Sequence, residues 1–151
     1  PPPPLFSSRR RHTRYADRSR GLGDVYKRQL QLITPHDKKR AHSTWYNVPW
    51  CSEIEPQVVR INPIDARRRG VSDNDMVDLF NDRGRVRIRA SVTERIIPGV
   101  VELTQGAWYD PDEDGIDRGG CANVLTRDES SPGGAHPMNS ALVELEALPQ
   151  G

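Results

Sequence analysis

The chain has 151 residues, of which 34% are hydrophobic and 6% aromatic, with 13 prolines and 12 glycines, a balance that favours one small β-rich domain with many loops over a helical bundle. No run of roughly 18 apolar residues is present and no charged-then-apolar leader opens the chain, so we expect neither direct membrane insertion nor a signal peptide in these residues. The net charge of +1 combines two unlike parts, because residues 1–29 carry eight basic and two acidic residues whereas residues 30–151 carry 14 basic and 19 acidic ones.

The first 29 residues lack apolar periodicity, which predicts a disordered basic segment. Arginines and lysines interleaved with Tyr15 and Tyr26 could form a nucleic-acid-binding arm. The runs SSRRRHTRY and GLGDVYKRQ, however, resemble translated sequencing-adapter sequence. We therefore interpret residues 1–29 as an artefact, expect no nucleic-acid partner, and take residues 30–151 as the domain.

Two short strands are predicted on either side of a polar loop. Leu30 to Ile33 is a β-type run that ends at Thr34-Pro35, since proline cannot continue a central strand. Residues 34–56 are polar and are predicted to be a loop, and residues 57–61 are predicted to be the next strand.

A short helix is predicted directly after this strand, over residues 62–69. Asn62 is a residue type that caps helices, Pro63 suits the first helical turn, and Gly70 suits the end.

Residues 72–92 predict a β-hairpin. Its strands are Met76 to Phe80 and Arg85 to Val92, and we expect Gly84 in the turn between them to adopt the left-handed backbone. The second strand alternates arginine with apolar residues, so its arginines share one face, which we expect to be solvated rather than to bind phosphate.

Two further strands are predicted over residues 100–104 and 141–146, with the Gly/Pro/Asp-rich residues 105–140 between them. A loop of that length is ordinary only where packing or a ligand orders it. Short strands, one helix and long polar loops predict a small β-barrel.

The two cysteines, Cys51 and Cys121, match no iron–sulfur or zinc pattern, since such sites need three or four clustered ligands. We interpret them as two small packing residues, and a disulfide between them is the alternative.

The features of residues 58–109 follow one another in a specific order: strand, Asn-Pro-Ile-Asp-Ala helix, glycine, acidic turn, strand, hairpin, strand, Pro-Gly-Val turn and strand. This order resembles the molybdopterin dinucleotide-binding domain of the dimethyl sulfoxide reductase superfamily. The resemblance implies a mainly β fold, the six-stranded double-psi β-barrel of the aspartate decarboxylase-like type, with short helices and long cofactor-binding loops. The family's Asp-Gly-Asp turn is Asp73-Asn74-Asp75 here, and asparagine also tolerates positive φ.

Residues 34–43, 105–126 and 131–145 resemble one branch of that superfamily, the membrane-anchored iron–sulfur type of dimethyl sulfoxide reductase. This implies the carboxy-terminal domain of a molybdenum-dependent oxidoreductase that reduces S-oxides or N-oxides by oxygen-atom transfer. Its cofactor would be molybdenum bis(molybdopterin guanine dinucleotide), with a [4Fe-4S] cluster in the missing amino-terminal domains of the same chain. An iron–sulfur electron-transfer subunit and a membrane anchor subunit would be its partners, on the periplasmic side of a bacterial membrane.

The first polar loop holds six residues that match the family's cofactor-contacting positions. Its hydroxyl and imidazole groups can donate or accept hydrogen bonds, and its arginine can fork onto a phosphate or a pterin edge. The alternative is an ordinary polar surface loop. No third ligand has suitable spacing, so we do not interpret the two histidines as metal ligands. The six residues are Thr34, Pro35, His36, Arg40, His42 and Ser43.

The second polar loop contributes Asn123 and Asn139. Asn123 follows two glycines that permit close approach of the backbone to a ligand, and Asn139 matches a contact position, although Pro-Met precedes it here instead of the family's His-Thr or His-Ser. We expect Trp108 and Tyr109 to pack in the wall of the site rather than to stack on a cofactor. We expect the acidic residues 110–114 to form a solvated turn rather than a calcium site.

No catalytic or metal-ligating residue is assigned, because the cysteine cluster and the molybdenum ligand of such an enzyme are not identifiable in this chain, and we expect the fragment alone to be inactive. One alternative is a free-standing pterin-binding subunit of a larger molybdenum or tungsten complex, although the first strand begins with no native lead-in, which favours a fragment. The other alternative is a barrel that serves only as an adaptor. Convergence of loops 34–43 and 119–139 on one concavity would speak against an adaptor.

Overall fold

Six short strands close into a barrel in the computed structural model, which describes residues 29–148. The interpretation of residues 1–29 therefore concerns residues outside the described range, apart from Gln29. The strands are β1 (Leu30–Ile33), β2 (Val59–Ile61), β3 (Met76–Phe80), β4 (Arg85–Val92), β5 (Val100–Leu103) and β6 (Leu142–Ala147). The helices are α1 (Pro49–Ile54) and α2 (Pro63–Arg69), and a 3₁₀ turn spans Ala122–Val124.

The strand order around the barrel is β1-β5-β2-β4-β3-β6, with β6 closing onto β1. The pairs β1–β5 and β2–β4 are parallel, and the other four are antiparallel. The chain thus passes from β1 to β2 across the intervening β5, and from β4 to β5 across the intervening β2. If β1, β2 and β3 are replaced by β4, β5 and β6, and the reverse, the strand order around the barrel is the same, read in the opposite direction. These two crossings are the double-psi arrangement, which confirms the predicted fold.

The pairing directions decide which loops meet. Strands β1, β3 and β5 end where β2, β4 and β6 begin. The connections over residues 34–58, 81–84 and 104–141 therefore leave the same end of the barrel, which we call the loop end. The connections over residues 62–75, including α2, and 93–99 leave the opposite, distal end.

The barrel interior is filled by the apolar residues that alternate along the strands, because side chains at every second position point to the same face. The largest strand side chains that are fully buried are those of Leu30, Leu32, Val59, Ile61, Val77, Leu79, Val86, Val101, Leu103 and Val143.

Helix α2 forms as predicted. The Asn62 side chain accepts a hydrogen bond from the Ile64 backbone N–H at 2.9 Å, and Gly70 ends the helix in the left-handed region at φ 65°. Strands β1, β3 and β4 have the predicted bounds, whereas β2 and β5 are shorter and β6 begins one residue later. Asn74 has a φ of 68°, as the acidic turn required.

Two local predictions are wrong. Residues 34–56 are not only loop, because α1 lies within them; it starts at a proline with no side-chain cap on Val48, so it lacks the usual sequence signal. Gly84 is not among the left-handed glycines. A glycine is needed there for space, since a Cβ atom would lie 2.5 Å from Cγ1 of Val124.

The arginine face of β4 is only partly solvated. Asp78 on β3 has a side chain that is 4% exposed and accepts hydrogen bonds from Arg85 at 2.8 Å and Arg87 at 2.6 Å. Only Arg89 is exposed as predicted.

Both cysteines are free thiols, and Cys51 is packed in the interior as predicted. Cys51 is buried, and burial raises the pKa of the half-buried Cys121 thiol above its usual value. Within residues 29–148 no helix combines the length and the apolar character that crossing a bilayer requires.

Candidate functional site

The two polar loops converge at the loop end of the barrel. The Gln105 backbone N–H donates to the Pro35 carbonyl oxygen at 3.0 Å, and Nε1 of Trp108 donates to the Ser43 carbonyl oxygen at 3.0 Å. The Tyr46 hydroxyl donates to the carbonyl oxygen of Gly119 at 2.7 Å. The segments that the sequence analysis treated as two separate loops thus form one surface.

The backbones of the two loops also approach closely at His42 and Gly106. Gly106 has a φ of 94°, and a Cβ atom there would lie 2.0 Å from the carbonyl oxygen of His42. His42 itself lies in the left-handed region at φ 54°. Only glycine allows this backbone contact, which seats the first loop directly on the second.

Thr34 and Asn139 are joined through side chains. Oδ1 of Asn139 accepts from the Thr34 backbone N–H at 2.7 Å and from its hydroxyl at 3.2 Å. Because an N–H can only donate, the atom that faces Thr34 must be the amide oxygen, and the Asn139 NH₂ group points away from it. Thr34 is buried, so it holds the loop in place, and the outward donor belongs to Asn139.

Arg40 is turned inward, towards the barrel. Its side chain is 7% exposed, and its Nη2 atom donates to Asp37 at 2.8 Å, to Gln57 at 2.6 Å and to Thr104 at 3.5 Å. The guanidinium also lies 5.1 Å from the Tyr46 ring centroid. These contacts hold the first loop against the barrel through Nη2. A contact between Arg40 and a phosphate or a pterin edge stays a prediction.

Four of the predicted residues have polar side chains without a polar partner in the part of the protein that the structure describes. His36, His42, Ser43 and Asn123 are exposed, and among the described residues their side chains form no hydrogen bond or ion pair with the protein. The two imidazole rings meet edge to face at 4.7 Å between centroids. Such a set of hydrogen-bond donors and acceptors fits a large polar ligand with ring nitrogens, hydroxyls and phosphates. Pro35 is also exposed, and its backbone carbonyl oxygen accepts the hydrogen bond from the Gln105 N–H.

Asn123 occupies a separate position on the same end. It lies in the 3₁₀ turn beside the β3–β4 hairpin, where Val124 packs on Gly84. The Asn81 side chain donates to the carbonyl oxygen of Leu125 at 2.8 Å and fixes this turn to the hairpin. The structure thus groups Thr34, the two histidines, Ser43 and Asn139, with Asn123 farther along the loop end.

The structure adds Tyr46 and Gln57 to the site. Burial raises the pKa of the Tyr46 hydroxyl, although Arg40 acts to lower it, so the phenol stays a donor at neutral pH. Nε2 of Gln57 donates to the carbonyl oxygens of Thr104 at 2.8 Å and Gly120 at 3.1 Å. Both side chains line a cavity of about 200 Å³ beneath α1. Neither has a local sequence pattern that could have indicated this role.

The aromatic pair at the start of the second loop is not packed as predicted. Trp108 is 49% exposed and Tyr109 57% exposed. The centroid of the Trp108 ring lies 5.8 Å from that of Tyr46, and the Trp108 Nε1–H donates to the carbonyl oxygen of Ser43.

The acidic run does form a turn, as predicted. Oδ1 of Asp112 accepts from the backbone N–H groups of Asp114 and Ile116, and Oδ2 accepts from Arg118. The hydrogen bond from Ile116, followed by that from Arg118, holds the pKa of Asp112 below its usual range. Within the described residues no group of three or more His, Cys, Asp or Glu side chains could hold a metal ion.

The sequence model of the molydopterin dinucleotide binding domain family matches residues 30–142. The chain belongs to this family. The match begins with β1 and includes both loops of the site, so the polar surface described above lies inside the family domain.

The domain is similar to parts of much longer curated proteins. Dimethyl sulfoxide reductase DmsA from Haemophilus influenzae is 51% identical over 120 residues, which cover 79% of this chain and 15% of that protein. Dimethyl sulfoxide reductase DmsA from Escherichia coli is 49% identical over the same shares. Trimethylamine-N-oxide reductase from Haemophilus influenzae is 40% identical over 127 residues, 78% of this chain and 15% of that protein. The chain thus spans about 15% of the length of these relatives.

A solved structure shares the fold. Acetylene hydratase from Pelobacter acetylenicus superposes with a TM-score of 0.69 at 13% identity, covering 87% of this chain and 20% of that one. Identity that low shows only the fold. Together with family membership it establishes a barrel domain that binds a molybdopterin cofactor.

Proposed function

We propose that this domain is the carboxy-terminal part of a molybdenum-dependent oxidoreductase that reduces S-oxides or N-oxides by oxygen-atom transfer. The observation that carries the cofactor-binding role is the set of unpartnered polar side chains, His36, His42, Ser43 and Asn123, on the loop end. The activity is supported by the similarity to the dimethyl sulfoxide and trimethylamine-N-oxide reductases. Arg40 of the first loop and Gly119 of the second line one cavity, which speaks against a barrel that serves only as an adaptor.

The residues of the site would have two different roles in cofactor binding. His36, His42, Ser43, Asn123 and the outward NH₂ of Asn139 would hydrogen-bond the pterin and the dinucleotide, because each buried polar group of the ligand left unpaired costs about 1–3 kcal/mol. Thr34, Pro35 and Arg40 would hold the loop that carries these groups. The bound cofactor supplies the metal and the redox chemistry, while the protein binds and orients it.

The full cofactor would be molybdenum bis(molybdopterin guanine dinucleotide), and a [4Fe-4S] cluster would lie in the amino-terminal domains of the parent chain. The partners of the parent enzyme would be an iron–sulfur electron-transfer subunit and a membrane anchor subunit. The parent enzyme would lie on the periplasmic side of a bacterial membrane. Identity of about half to proteins named DmsA supports the molybdenum cofactor. The cluster, the two partner subunits and the periplasmic position are proposed from the resemblance of residues 34–43, 105–126 and 131–145 alone.

Reading the genomic sequence upstream of Leu30 tests the proposal. We expect an open frame of several hundred further codons that includes an amino-terminal cysteine cluster. A start codon close to the first strand, with no such frame, would instead identify a free-standing pterin-binding subunit. Molybdenum and guanine nucleotide analysis of the purified parent protein then tests the cofactor directly, and absence of both from a folded enzyme would refute the proposal.

A further inference from the structure

Asp117 lies in the second loop and is completely buried, at 0% exposure. Its Oδ1 atom accepts from the backbone N–H groups of Asp110 at 2.8 Å and Gly119 at 3.1 Å, and its Oδ2 atom accepts from Cys121 N–H at 2.6 Å. Within the described residues it takes part in no ion pair. A buried carboxylate without a counter-ion is costly unless hydrogen bonds replace its water, and here three backbone donors do so.

The backbone of the same residue fastens the loop to the barrel. Asp117 N–H donates to the carbonyl oxygen of Arg85 at 3.0 Å, and its own carbonyl oxygen accepts from Arg87 N–H at 2.8 Å. Since Arg85 and Arg87 belong to β4, Asp117 is the point where the second loop is paired to a barrel strand.

The Asp117 carboxylate also determines the backbone path before and after residue 117. By holding Gly119 and Cys121 it turns the backbone so that the Gly119 carbonyl oxygen meets the Tyr46 hydroxyl and the Gly120 carbonyl oxygen meets Gln57. These two bonds add to the contacts that Gln105, Trp108 and Asn139 make with the first loop. Asn123 follows Cys121 by only two positions.

From this geometry we propose that Asp117 is a positioning residue for the cofactor: its carboxylate fixes the spacing between the first loop, which carries the histidines, and Asn123. This inference rests on the proposed function. The physical reason is that two carboxylate oxygens serve three N–H donors. Replacing one oxygen by an NH₂ group sets donor against donor, and an unsatisfied buried N–H costs about 1–3 kcal/mol, so the loop moves instead.

The test compares Asp117→Asn with Asp65→Asn in the full-length parent enzyme. Asp65 is a matched control, because it is also buried, at 3% exposure, and also accepts a backbone N–H, from Gly99 at 2.6 Å, but it lies at the distal end. Molybdenum and guanine nucleotide per folded protein, the melting temperature and the electron paramagnetic resonance signal of the remaining molybdenum are measured in each.

We expect both substitutions to lower the melting temperature, and only Asp117→Asn to lower cofactor content, by fivefold or more, with a broadened molybdenum signal. Equal cofactor content and equal signals in the two variants would overturn the positioning role, while a wild-type parent with no pterin would overturn the proposed function instead. Should Asp117→Asn fail to fold, Tyr46→Phe removes only the hydrogen bond to Gly119. A two- to threefold loss of cofactor in that variant supports the positioning role, and unchanged content refutes it.

Discussion

Oδ1 of Asn139 accepts hydrogen bonds from both the backbone N–H and the hydroxyl of Thr34, 105 positions earlier in the chain. This pair joins the residue after β1 to the residues before β6, two strands that are neighbours in the barrel. It also fixes the Asn139 amide, so that its NH₂ group is the part available to a ligand.

Substitutions at Asn139 should separate these two roles. Asn139→Ala leaves the buried Thr34 N–H without an acceptor and should destabilise the 151-residue chain by about 1–3 kcal/mol in urea unfolding. Asn139→Asp keeps the acceptor and loses the NH₂ donor, so it should fold nearly as stably as wild type at neutral pH but lower the molybdenum content of the full-length parent. Wild-type stability in Asn139→Ala would contradict the structural role.

Gly106→Ala tests the backbone contact between the two loops. The new Cβ atom would lie 2.0 Å from the His42 carbonyl oxygen, whereas Gly115, which also has positive φ, has nothing within 4 Å of such an atom. Left-handed strain alone costs about 1–2 kcal/mol, so Gly115→Ala should lose about that much, and Gly106→Ala should lose clearly more. Chemical denaturation of both variants measures the difference; equal losses would show that the loops can separate without cost.

Acid should weaken the ion pairs of Asp78. Burial acts to raise the pKa of this carboxyl, but hydrogen bonds from Arg87 and then Arg85 outweigh it and hold the pKa below its usual range. Because the folded-state pKa is the lower one, the stabilisation is complete above about pH 4 and is lost as the pH falls through the folded-state value.

The check is the free energy of unfolding as a function of pH for wild type and Asp78→Asn. At neutral pH the variant should be less stable by about 2 kcal/mol, the size of a charged hydrogen bond, and the gap should close below pH 4. A gap that stays constant down to pH 2 would show that the carboxylate contributes no charge interaction.

The exposed donors should affect cofactor content without affecting the fold. In the full-length parent, His42→Ala combined with Asn123→Ala should lower molybdenum content severalfold and change the melting temperature little, since neither side chain makes a hydrogen bond or ion pair within the described residues. The matched control combines Arg67→Ala with Glu94→Ala, two exposed positions at the distal end. Full metal occupancy in the first variant would refute these binding assignments.

The chain by itself should not reduce sulfoxides. It spans about 15% of the length of its curated relatives, so we expect the purified chain to bind the cofactor weakly and to show no turnover with dimethyl sulfoxide and a reduced viologen dye. Turnover by the isolated chain would show that the active groups lie within these residues.

Local patterns were sufficient to predict most elements of the fold. The alternation of β4 and the Asn62–Gly70 capping pair each depend on residues that are close in sequence, and so the structure confirms them. The resemblance of residues 58–109 to a known family added the double-psi order. Helix α1 was not predicted, because a six-residue segment without a capping side chain is too short to show a clear helical pattern of apolar residues.

For this protein, sequence patterns alone determined most of the strands, a small β-barrel and the polar character of the two loops, because these follow from spacing and side-chain chemistry along the chain. Only the tertiary structure decided that Arg40 bonds inward, that Gly84 is required for space beside Val124, and that Asp117 organises the second loop. Each of those outcomes depends on partners brought close by parallel and antiparallel strand pairing. That pairing sets distances between residues that are far apart in sequence, and no local pattern encodes it.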